Sequence, residues 1–263
     1  PRINEIKNKR NIKKDCALIF DVKEEKVALS QEEWEENPNK FKVLVSDLYL
    51  WHLVKPNGLV LPHHINGSLS LSSLTNAEGL VLPQNIGGDL YLNGLTSAEG
   101  LVLPQNIGGD LYLTRLTSAK GLVLPQNIGG DLYLTRLTSA EGLVLPQKIG
   151  NLDLSGIISP KGLILPRHID GNLFLDYLSS TEGLVLPQSV GGYLDIHNLD
   201  SAESLVLPQN IGGGLNLSGL TSANGLVLPY GFNLNKLICP SYIKNEILQN
   251  PDKYFRKPPS EEE

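Results

Sequence analysis

The chain has 263 residues, 41% of them hydrophobic, with 28 acidic against 22 basic side chains and a formal net charge of −6. An acidic chain whose lysines gather mostly at the termini offers no continuous basic groove, which argues against a nucleic-acid ligand. Its two cysteines, Cys16 and Cys239, stand at opposite ends and are expected to be small buried cap residues rather than a disulfide. No 18-residue apolar run and no signal peptide are visible, so neither a membrane span nor classical Sec export is expected.

Residues 1–40 read as a basic tail and an N-terminal cap. The stretch from Arg2 to Lys14 is charged and solvated. Alternation from Cys16 to Val22 and from Lys26 to Leu29 predicts a short hairpin, and Ser30-Gln-Glu-Glu33 has capping-box spacing for a brief helix ending near Asn37-Pro38.

Residues 41–237 are an array. Nine times between Gly58 and Pro229 the chain returns to Leu-Val-Leu-Pro or Leu-Ile-Leu-Pro, at a spacing of 21 residues with one exception of 20. The unit from Gly79 to Glu99 holds two alternating apolar runs. Leu90 and Leu92 flank Tyr91, and Leu80 and Leu82 flank Val81, the period-two pattern of half-buried strands. Pro83, Gly87-Gly88 and Gly94 leave no window for an ordinary α-helix. One unit cannot bury Ile86, Leu90, Leu92, Leu95 and Leu80 alone, but a stack can, so a mainly β solenoid of nine to ten repeats is predicted, with a core about 40 Å long.

Residues 238–263 read as a C-terminal cap and an acidic tail. Ser241 is placed as the cap of a helix carrying Ile243, Ile247 and Leu248, stopping at Asn250-Pro251. Asn250-Pro-Asp-Lys-Tyr254 echoes Asn37-Pro-Asn-Lys-Phe41, which points to a recurring junction element or to two unrelated helix stops.

The segment Ile149-Gly-Asn-Leu152-Asp-Leu154-Ser-Gly-Ile157 reads Leu-x-x-Leu-x-Leu with an apolar residue three on, and so resembles a leucine-rich repeat. The Leu-Pro and Leu-Thr-Ser phrases from about Phe41 to Leu237 are similar to the short repeats of bacterial leucine-rich effectors. They are also similar to Leu-Pro-x-x-Ile-Gly-Gly-x-Leu-x-Leu arrays of bacterial and phage proteins. The pattern departs from that family in an extra residue before most Leu-x-Leu strands. It departs also in the asparagine slot, which holds Asn93 but Thr114, Thr135, Ser155, Asp176 and Ser218 elsewhere. A horseshoe and a straighter β-solenoid are both compatible with it. The resemblance implies a bacterial protein, resident in the cytoplasm or delivered into a host cell, with a host protein as partner.

Whatever the array does must come from its outward side chains. The middle residue of Leu-x-Leu forms a column: Tyr49, Ser70, Tyr91, Tyr112, Tyr133, Asp153, Phe174, Asp195 and Asn216. Aromatic columns serve as protein hot spots, can stack on sugars, or simply stack on one another. Asp47, Asp89, Asp110 and Asp131 flank the column on one side, Arg115 and Arg136 on the other. Like charges one rung apart repel by about 1 kcal/mol in water. The aspartates are therefore expected to accept hydrogen bonds from the Gly-Gly amides of an adjoining rung, or to recruit a cation or a basic partner.

Catalysis finds no support in the sequence. His52, His63, His64, His168 and His197 lack zinc-site spacing, with His63-His64 in a turn slot. No elbow or neighbouring histidine activates a serine, no phosphate loop precedes a helix, and Cys239 lacks the Cys-x-Asp context of the ligase domains attached to some effectors. A non-enzymatic protein-binding module without a cofactor or metal is the expectation, with a carbohydrate-binding module and a rigid spacer or autoinhibitory arm as alternatives.

Overall fold

The computed structural model describes residues 19–21, 26–28, 43–44, 47–56, 59 and 61–257. Each 21-residue unit makes one turn of a β-solenoid, and the turns stack in parallel register on themselves. Leu90–Tyr91, Leu111–Tyr112 and Leu132–Tyr133 are neighbouring two-residue strands in a ten-stranded parallel sheet that runs from Leu48–Tyr49 to Leu237–Ile238. The expected mainly β solenoid is the observed architecture.

The second sheet lies elsewhere in the unit than the alternation predicts. It is built from Asn85–Ile86 and its equivalents, not from Leu80-Val81-Leu82. The latter segment keeps its alternation, with Leu80 buried, Val81 exposed and Leu82 partly buried. It forms no ladder, because the Leu80 amide bonds back to Ala77 O within its own turn (3.0 Å) and Pro83 has no N–H to give. That return turn uses left-handed backbone at Gly100 (φ +74°) and its counterparts, and at Ser204 (φ 64°) where glycine is replaced.

Inside the stack, Leu90, Leu92, Leu95, Ala98, Leu101 and Ile107 close one turn of a continuous apolar core. Burial of this column of leucines on every turn is the main stabilising term, since no single turn could exclude water from it. Gly-Gly before the strand is required by the spacing of turns. A Cβ on Gly108 would lie 2.2 Å from Gly87 O.

The 20-residue unit drops one glycine, so Gly-Gly-Asp becomes Gly150-Asn151. The ten-stranded sheet crosses this point without interruption, through Leu132↔Leu152 and Leu152↔Leu173. The second sheet does not, and is divided into five strands before it and three after. Ile149 and Leu152 nevertheless stay buried, so the core is preserved and only the outer ladder is lost.

Ile19–Asp21 and Lys26–Ala28 pair antiparallel as the predicted hairpin; the predicted helix from Ser30, the Asn37 phrase and Cys16 lie outside the described residues. At the other end, α1 (Ser241–Gln249) forms as expected with Ile243 and Ile247 buried, but Leu248 is exposed. Its cap is Pro240, whose carbonyl accepts from Lys244 N (3.1 Å), rather than Ser241. Asn250-Pro251 does not end the cap. Pro251 opens α2 (Pro251–Tyr254), suited to a first-turn position that needs no N–H. Tyr254 is buried there, and its carbonyl accepts from Leu228 N (2.7 Å), closing the last turn. Cys239 is partly rather than fully buried, packed against the core with its thiol pushed up by burial. Among the described residues no helix is long and apolar enough to cross a membrane.

Candidate functional site

The column of Leu-x-Leu middle residues is partly or fully exposed at every predicted position except Ser70, which is buried, and its geometry is set by ladder register. Tyr91, Tyr112 and Tyr133 stand directly beside one another because their strands pair residue for residue. Their rings stack, with centroids 4.5 Å and 4.6 Å apart and planes within 11° and 5° of parallel. The rings are half-buried. Tyr49 belongs to the same column but is separated from Tyr91 by the buried Ser70, and it leans instead on Trp51 at 5.5 Å. Phe174 is likewise isolated, paired in register with Asp153 and Asp195.

Each tyrosine hydroxyl donates to the aspartate two residues earlier in its own turn. Tyr49 reaches Asp47 Oδ2 at 3.0 Å, Tyr91 Asp89 at 2.8 Å, Tyr112 Asp110 at 2.9 Å and Tyr133 Asp131 at 3.0 Å. The other carboxylate oxygen reaches forward to the next turn. Asp89 Oδ1 accepts from Asp110 N and Asp110 Oδ1 from Asp131 N, both at 2.8 Å, and Asp131 Oδ1 accepts from Asn151 N at 2.6 Å. The expected relief of charge repulsion is therefore present, with a different donor from the one predicted. The glycine amides are spent on the backbone ladder, Gly108 N to Ile86 O at 2.8 Å and Gly109 N to Gly88 O at 3.0 Å, which leaves the following residue's N–H for the side chain.

Hydrogen bonding to a carboxylate and partial burial both favour the neutral phenol. Tyr91 is pushed up to about 12, first by its bond to Asp89, and Tyr133 to about 12, first by burial and then by Asp131. Tyr112, covered on both faces, is raised by burial and then by Asp110. Arg115 and Arg136 are exposed, and among the described residues neither forms an ion pair with the aspartates.

Two groupings were not read from the sequence. His64 lies on a strand of the second sheet rather than in a turn, where its ring nitrogen meets Asn85 Nδ2 at 3.0 Å. From there an amide ladder continues, Asn106 Nδ2 to Asn85 Oδ1 at 2.8 Å and Asn127 Nδ2 to Asn106 Oδ1 at 3.1 Å, along a shallow groove that ends near Lys148 and Asp170. The repeated Gln-Asn phrase at a fixed 21-residue interval is the signal that could have found it.

The second grouping is Asp176, Asp195 and His197, whose potential ligand atoms lie within 4.8 Å of one another. His197 Nδ1 is 2.8 Å from Asp195 Oδ1, and Asp176 Oδ1 is buried without a partner among the described residues. Spacing along the chain concealed this group, because Asp176 and His197 occupy the same slot of successive turns and meet only through stacking.

Set against family models, curated proteins and solved structures, the chain has no significant match.

Proposed function

We propose that this chain is a non-catalytic protein-binding module, and that its partner docks on the tyrosine–aspartate face of the ten-stranded sheet. The observation that carries this reading is the pre-ordering of that face. Stacking fixes the rings and the aspartates fix the hydroxyls, so a partner meets aromatic area whose rotamer entropy has already been lost. Arg115 and Arg136 stand exposed beside it with open guanidiniums, suited to carboxylates on the partner. The similarity of the repeat phrases to those of bacterial effectors makes a host protein the proposed partner and delivery into a host cell the proposed setting. Sugar stacking is less well served, because both faces of Tyr112 are covered by Tyr91 and Tyr133.

The test compares the parent with an R115E/R136E variant and a Y91A/Y112A/Y133A variant, at matched folding by circular dichroism, in affinity capture from host-cell lysate and on a glycan array. A protein retained by the parent and lost by both variants supports the reading. Empty or equal captures overturn it in favour of a spacer, and retention of a glycan replaces the protein by a sugar.

A further inference from the structure

A second outward column runs the length of the solenoid on a different face. The middle residue of every Leu-Val-Leu-Pro phrase from Val81 to Val227 is valine or isoleucine, between 68% and 78% exposed in seven turns and 39% in the eighth. A β-branched apolar residue has no reason of its own to face water on eight successive turns. The neighbouring aspartate–tyrosine face shows that these turns accept polar residues outward. Eight turns at about 4.8 Å give a strip about 35 Å long, and the six steps from the row of Glu99 to the row of Gln105 give a width of at most about 20 Å. That is at most about 700 Å², close to the roughly 800 Å² per partner of a standard interface.

We propose that this strip is a self-association surface on which a second copy of the chain packs antiparallel. The identity of the partner comes from the order of charges beside the strip. A two-fold axis lying in the interface and crossing the solenoid sets each flanking row against itself, reversed. With the axis between the turns of Val144 and Ile164, Glu141 meets Lys161 and Lys120 meets Glu182, each pair occurring twice. Glu78 meets Asn224, and only Glu99 meets a like charge, Glu203. All of these side chains are exposed, and among the described residues none is engaged in an ion pair. Sliding the copies so that Glu141 meets itself sets like charge against like throughout, Lys120 on Lys161, Glu99 on Glu182 and Glu78 on Glu203. A parallel arrangement in register lays the charged row on the row from Gln84 to Tyr230, whose one charged member, Arg167, then faces the like charge of Lys161. Only the antiparallel register that overlaps all eight turns joins the full apolar strip to mainly opposite charges.

This inference does not rest on the tyrosine face, and its test leaves that face intact. Sedimentation velocity on the full chain, from about 1 to about 100 μM, is expected to show a reversible dimer. A V123D/V185D variant is expected to sediment as a monomer with unchanged circular dichroism, because both positions are already exposed. K161E is expected to weaken the dimer roughly three- to tenfold, and E141K/K161E to regain it, since the double exchange restores opposite charges in this register alone. A monomer throughout the range, a dimer that survives V123D/V185D, or a failure of the double exchange to recover what K161E loses overturns the proposal.

Discussion

Asp110 and Tyr112 are held together by a 2.9 Å hydrogen bond within one turn, while the other oxygen of the same carboxylate accepts the Asp131 amide of the next turn. One side chain thus joins aromatic column and backbone ladder, and its removal is expected to disturb both. Asp110→Ala should cost about 1–3 kcal/mol in urea unfolding, because a half-buried amide and a hydroxyl lose their acceptor. Asp110→Asn should cost much less. The chain itself places Asn151 and Asn172 in this slot, and their Oδ1 atoms accept the next amide at 2.6 Å.

The raised tyrosines make stability fall in alkali. A phenol whose folded-state value lies above its unfolded value of 10.0 contributes stability that is fully present below pH 10 and lost as pH rises through about 12, the value of Tyr91 and Tyr133. Thermal unfolding across that window is expected to show a loss that Y91F and Y133F reduce, while both variants are slightly less stable than the parent at pH 7. Phenolate absorbance titration should show a late-ionising component near pH 12 that Y91F and Y133F each diminish.

Glycines in this repeat serve two separate needs, and alanine scanning should separate them. Gly108→Ala brings a Cβ against the Gly87 carbonyl at 2.2 Å and is expected to cost about 3 kcal/mol. Gly142→Ala, with open space around it but φ +78°, should cost only the roughly 1–2 kcal/mol of left-handed backbone. Conversely, Ser204→Gly relieves the one left-handed non-glycine residue described and is expected to stabilise by up to about 1 kcal/mol. Melting temperatures of the three variants check the order.

Asp176 is held above the ordinary carboxylate value of 3.8, chiefly by burial and next by Asp195, with Ser155 and His197 acting in the opposite direction. A carboxyl raised in the folded state destabilises wherever it is ionised. Asp176→Asn is therefore expected to raise stability by about 1 kcal/mol at pH 7. The gain should vanish as pH falls through the raised value towards 3.8, where the parent is protonated as well. A gain that persists unchanged in acid would assign the effect to packing instead.

The sequence by itself determined that the chain is a stack. A 21-residue return of leucines at period two, punctuated by Pro83, Gly87 and Gly88, admits no helix and no self-sufficient unit, so the turns must bury one another. It also determined the outward column, because a strand's alternation decides which side Tyr91, Tyr112 and Tyr133 face. Tertiary structure alone decided which outward and polar segments pair. Whether Leu80-Val81-Leu82 or Asn85–Ile86 became the second ladder depended on where backbone amides were already engaged, as at Leu80 and Ala77. The donor to each aspartate, and the meeting of Asp176, Asp195 and His197, followed for the same reason. These contacts join residues about one turn apart in sequence, and their partners are fixed only when neighbouring turns settle at ladder spacing.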